Sequence, residues 1–117
     1  MSAPAIAFEA GQIVPITNYC KGEDNILTLS RADMDSTEEA TATWWRMVGR
    51  KVCFKLPFQV GMKLERLIFD YMNSDGRLRE VWSVKASMGE WFVILVVSRL
   101  PLNGRPPPPA VPGSVEA

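Results

Sequence analysis

Six of the nine prolines lie between Pro101 and Pro112, and this cluster sets the outer limit of what the chain can fold into. Proline has no amide hydrogen to give to a helix or a β-ladder, so regular structure is expected to end near Arg99. The segment 101–117 reads as a Pro-rich tail, extended polyproline II followed by coil. Residues 1–10 are small and weakly patterned, and read as an N-terminal arm. Residues 11–100 then form one compact domain, enough chain for one modest core. With 47% apolar and 22% charged residues the composition is that of an ordinary globular protein. No internal repeat is visible.

Two helices are expected. Ser36 and Glu39 have the spacing of a capping box, with Glu38 and Glu39 at the positive end of the helix dipole. Ala40, Trp44, Met47 and Val48 form one stripe and Gly49 supplies the stop, which predicts a helix over 36–48. In the second segment, helical spacing groups Leu64, Leu67, Ile68, Tyr71 and Met72 on one face and leaves Glu65, Arg66 and Asp70 outside. Arg66 and Asp70 are also an i,i+4 pair. A helix over 61–73 is expected, ended by the Asn73-Ser74-Asp75-Gly76 cluster.

Strands are expected at 25–30, at 51–56 where Pro57 closes the run, at 78–85 and at 91–97. Residues 12–17 add an edge strand, where Pro15 is tolerated. Glu80 interrupts the apolar face of Leu78, Trp82 and Val84. Trp91–Val97 is apolar on both faces, so it is either central in the sheet or covered by a partner.

The expected fold is therefore α+β: a small two-layer domain with a mixed β-sheet, two helices on one face and a β-α-β-α-β-β core. That order resembles the one in Alba-type chromatin proteins and in the C-terminal domain of bacterial initiation factor three, both nucleic-acid binders. The resemblance is one of element order, and implies no site residues.

The first nine residues lack the basic region and apolar core of a secretory signal, and the longest apolar run, seven residues, is far short of the ~20 a spanning helix needs. A cytoplasmic protein with no membrane partner is expected. Cys20 and Cys53 lie in different segments without a CxxC pair. A disulfide between them is open, but two cysteines without an export signal more often stay reduced, and Cys53 between Val52 and Phe54 reads as a small core residue.

The chain has no histidine, which removes the commonest general base and metal ligand, and with them the Ser-His-Asp and Cys-His constellations. Glu38 and Glu39 are explained by the helix N-terminus. Asp33 and Asp35 fit a cation site or a solvated turn. Gly49-Arg50-Lys51 lacks the glycine spacing of a phosphate loop. The expectation is a non-enzyme with no catalytic residues, metal, cofactor or small-molecule substrate.

Thirteen basic and thirteen acidic residues cancel, but not locally. Residues 1–40 hold two basic and seven acidic side chains. Residues 41–66 hold Arg46, Arg50, Lys51, Lys55, Lys63 and Arg66 against Glu65 alone, interleaved with Trp44, Trp45, Phe54 and Phe58. Basic residues beside aromatics suit single-stranded DNA or RNA, with Trp45 the ring placed to stack. Trp45 lies beside the helical stripe, so one of the two adjacent tryptophans should be exposed. With Trp91 and the doubly apolar strand around Ile94, this is more apolar surface than a small domain covers, unless Ile6 and Phe8 of the arm cover it. Pro106, Pro109 and Pro112 share one face of a polyproline turn and suit a protein contact or a spacer. The leading expectation is an interaction or assembly module, self-associating or binding a protein partner, with Trp45, Trp91, Ile94 and these three prolines at the interface; a small virion, phage or plasmid-encoded structural factor has this form. The alternative is a nucleic-acid-binding module using the 44–66 segment.

Overall fold

A computed structural model describes residues 8–86, 89–97 and 114–116. The elements in chain order are β1 (Ile13–Lys21), α1 (Glu23–Asp35), α2 (Thr37–Gly49), β2 (Cys53–Met72), β3 (Leu78–Ala86), β4 (Gly89–Val96) and β5 (Ser114–Glu116). The α+β class and the two helices on one face are as expected; the order of elements is not. Both helices fall between the first two strands, so the order shared with Alba-type proteins and the initiation-factor domain is absent.

β2 is 20 residues long and serves two partners. Its first half pairs antiparallel with β1 and its second half with β3, which pairs with β4. The far end of β1 also meets β4, at Cys20↔Phe92 and Lys21↔Trp91, so the sheet curls until its first and fourth strands touch. β5 adds parallel to β4 at Ile94–Val96. Residues 114–116 thus join the sheet where coil was expected. The proline cluster itself lies outside the described residues.

The curl gives the sheet two apolar faces. Phe8, Val14, Ile16, Leu64, Trp82, Val84, Val93 and Leu95 fill the inner one. Phe8 therefore belongs to the core, although residues 1–10 read as an arm. The outer face packs Cys20, Cys53, Val81, Phe92 and Ile94 against Ile26 and Leu29 of α1 and Trp44 and Met47 of α2. β4 is central and covered on both faces, which accounts for its uninterrupted apolar run.

α2 forms as expected: the Ser36 side chain accepts from the Glu39 amide at 3.0 Å. The strand expected at 25–30 is instead α1. Its buried residues Ile26, Leu29, Ser30 and Asp33 recur at helical spacing, Gly22 at φ 80° turns the chain out of β1, and Glu23 and Asp24 occupy the first turn. The helix expected at 61–73 is the second half of β2. Register shifts between Leu64 and Arg66 and between Leu67 and Phe69 are β-bulges. Each bulge turns the strand by one residue, so Leu64 and Leu67 both pack on the inner cluster while Ile68, Phe69 and Tyr71 pack toward the helices. Two bulges between Leu64 and Phe69 turned a period of two into spacing that reads as helical. Arg66 accordingly pairs with Glu90 at 3.3 Å, not with Asp70.

Cys20 and Cys53 are register partners in β1 and β2 and form a disulfide, a correction to the reduced thiols expected. The staple closes the loop that contains both helices. Glu80 stays on the apolar face of β3 because the Trp82 indole N–H donates to its Oε1 at 2.9 Å.

Candidate interaction surface

The most exposed large apolar side chains stand on the β1–β2 ribbon. Asn18 pairs with Lys55 and Ile16 with Val60, so Thr17 alone faces four residues of β2, Leu56-Pro57-Phe58-Gln59. Pro57 is accommodated because no ladder amide is required there. The chain does not stop at Pro57, as the sequence suggested; it bulges and continues. At the bulge Phe58 is 69% exposed, and at the start of β1 Ile13 is 68% exposed. Ile13 lies across Gly61: a Cβ at that glycine would come within 3.1 Å of Ile13 Cγ2.

Beyond the bulge the ribbon carries an aromatic stack. The Tyr19 ring lies 3.7 Å from Trp91, nearly parallel at 5°, and 5.3 Å from Phe54. The Lys21 ammonium sits 5.1 Å above Phe54. Burial raises the Tyr19 phenol above its ordinary pKa. Trp91, expected at an interface, is half-buried and engaged in this stack. Ile94, also expected there, is 1% exposed inside the helix-facing core, so it is unavailable to a partner. Trp45 is the exposed member of the tryptophan pair at 54%, with Trp44 buried beneath the helix. Pro106, Pro109 and Pro112 lie outside the described residues.

The basic block does not form one patch. Arg46, Arg50 and Lys51 are exposed around the C-terminus of α2, adjacent to Trp45. Lys55 and Lys63 are exposed on β2 on either side of the bulge, up to about 27 Å of strand apart. Arg66 is engaged by Glu90.

Asp33 and Asp35 diverge. Asp35 is exposed, whereas Asp33 is buried, accepts from the Tyr71 hydroxyl at 2.7 Å, and lies 3.3 Å from Arg79 Nε. The pair therefore does not converge on a cation, and Asp33 is no solvated turn residue: it ties α1 to β2 and β3. Among the described residues no group of three metal-ligating side chains assembles, and no helix is long and apolar enough to cross a membrane. A shallow depression of about 320 Å³ beside the Arg66–Glu90 pair is lined by Glu65, Lys85, Gly89 and Glu90, charged groups at the surface.

Sequence reasoning named Phe58 only as part of the basic aromatic block and did not single out Ile13. The available signal was Pro57 inside an otherwise regular alternation, which marks a bulge as readily as an end. No family model, no curated protein and no solved structure matches this chain.

Proposed function

We propose that the protein is a non-enzymatic assembly module that associates with further copies of itself through the bulged β1–β2 ribbon. The observation that carries this reading is Phe58, held out at 69% exposure by a bulge four residues long opposite a single residue of β1. Burying a phenylalanine contributes ~1.5–3 kcal/mol, the scale of an interface anchor. Ile13 extends the apolar area along the same ribbon. The buried Cys20–Cys53 disulfide suits assembly in an oxidising environment.

Trp45 favours a second reading. It is exposed beside Arg46, with Arg50 and Lys51 one turn on, an aromatic and three cations at one helix end. That is chemistry for stacking a base and pairing its phosphates in single-stranded nucleic acid. Light scattering separates the two. The assembly reading expects at least a dimer without nucleic acid, at about 50 mM salt where electrostatic contacts are least screened. A species that stays at 13.1 kDa alone and gains mass only with single-stranded DNA or RNA would replace it with the second.

A further inference from the structure

Besides Trp45, the exposed large apolar side chains fall into two groups: Phe58 and Ile13 along the first half of β2, flanked by lysines, and Met72 and Met34 at its C-terminal end, surrounded by carboxylates. Along the first half of β2 Phe58 stands near Lys55, and Ile13 pairs with Lys63; from Lys51 to Leu64 the chain has three lysines and no acidic residue, with the exposed Glu9 and Glu65 at the Ile13 end as counter-charges. At the C-terminal end Met72 is exposed. There the Ser74 amide donates to the Asp33 carbonyl at 3.1 Å, and the Thr37 hydroxyl meets Asp75 Oδ2 at 3.4 Å. These bonds draw the β2–β3 turn onto the α1–α2 corner, where Met34 is exposed. Asp35, Glu38, Glu39 and Asp75 are all exposed around that corner, with Arg31 one turn back on α1 and Arg77 in the turn as counter-charges. The Arg66–Glu90 and Arg79–Asp33 ion pairs use none of these groups.

One chain cannot bring these two surfaces together, because they are fixed to different stretches of a single paired strand, with Met72 nine residues beyond the Ile13–Lys63 pair. A two-fold contact of the lysine-flanked stretch with its own copy brings like charges together and is disfavoured. We propose that a second copy of this chain docks head to tail, its Met34/Met72 corner with the surrounding carboxylates receiving Phe58 and Ile13 with their flanking lysines. Such a contact is heterologous, and generates a ring if the rotation closes or a filament if it does not. This inference rests on the self-association reading and assigns its two surfaces.

The test is sedimentation of the full chain at low salt across a concentration series, with circular dichroism confirming the fold of each variant. Lys55→Glu with Lys63→Glu should weaken association about tenfold or more, and Asp35→Lys with Glu38→Lys should do the same. The four changes combined in one chain reverse both surfaces and should restore association to within about threefold of the original. If the unaltered chain associates but neither pair weakens it, the head-to-tail contact is wrong and self-association uses another surface. Failure of the fourfold variant to recover, when both pairs weaken association, overturns the complementarity. An unaltered chain that remains monomeric at high micromolar concentration overturns both this inference and the reading beneath it.

Discussion

The Tyr71 hydroxyl donates to Asp33 Oδ2 at 2.7 Å, joining a residue near the end of β2 to the last turn of α1 inside the core. Arg79 of β3 lies 3.3 Å from the same oxygen, and all three side chains are buried. This cluster ties the helical layer to the sheet, whereas the Cys20–Cys53 disulfide ties β1 to β2 within the sheet and closes the loop that carries both helices.

Burial, and then the Asp33 carboxylate, push the Tyr71 phenol far above its ordinary pKa of about 10. A raised acid in the folded state means that its contribution is complete below pH ~10 and is lost as pH rises above it, where only the unfolded chain ionises. Folding stability should therefore fall above pH ~10, and tyrosinate absorbance should rise with unfolding instead of before it. In Tyr71→Phe the stability is lower by roughly 1–3 kcal/mol at neutral pH but declines less in alkali. In a Tyr19→Phe chain, where Tyr71 is the one tyrosine left, titration near pH 10 in the folded state with no loss of circular dichroism would contradict the cluster.

Asp33→Ala leaves the Arg79 guanidinium buried without its carboxylate. The expected loss is about 3–5 kcal/mol in a urea denaturation. Asp33→Leu combined with Arg79→Met removes both charges and should recover most of that loss, whereas independent contributions would make the double variant worse than either single one.

The disulfide closes a loop with a sequence separation of 33 residues that includes α1 and α2. Its loss, by dithiothreitol or by Cys20→Ser with Cys53→Ser, should lower stability by about 3–4 kcal/mol. Thiol titration of the non-reduced chain in denaturant should find no free thiol; two per chain would refute the bridge.

A chain ending at Leu100 loses β5 and exposes the edge of β4 at Ile94–Val96. This should lower stability by roughly 1–3 kcal/mol, the scale of a short ladder of hydrogen bonds. Unchanged thermal unfolding would show that β5 contributes nothing to the sheet.

What the sequence disclosed and what it hid follow from the range over which each signal acts. Ser36 and Glu39 specify the start of α2 through bonds made within one turn, so that helix was legible. β3 and β4 were legible as well, because nothing breaks their alternation except Glu80, whose partner Trp82 is two residues away. β2 was not, since its bulges near Leu64, Leu67 and Pro57 are set by pairing with β3 and β1 across the fold. α1 was hidden because the short run Ile26-Leu27-Thr28-Leu29 fits either period, and its helical stripe of Ile26, Leu29, Ser30 and Asp33 includes two polar residues that only the fold shows to be buried. The candidate surface was half visible. Trp45 is out of register with its helix and had to be exposed, but the exposure of Phe58 and Ile13 depends on a bulge and on the glycine at position 61. Asp33 looked like a turn residue for the same reason: its partners Tyr71 and Arg79 are 38 and 46 positions away.

The central claim is that Phe58 anchors contact between copies of the chain. The most direct measurement is the sedimentation-derived mass of Phe58→Ser beside the unaltered chain, both at high micromolar concentration and low salt. Phe58 is exposed, so the substitution should leave circular dichroism and thermal unfolding nearly unchanged. The account predicts a dimer or larger species for the unaltered chain and a shift toward the 13.1 kDa monomer for the variant. Equal masses for the two chains, whether both monomeric or both assembled, would contradict it.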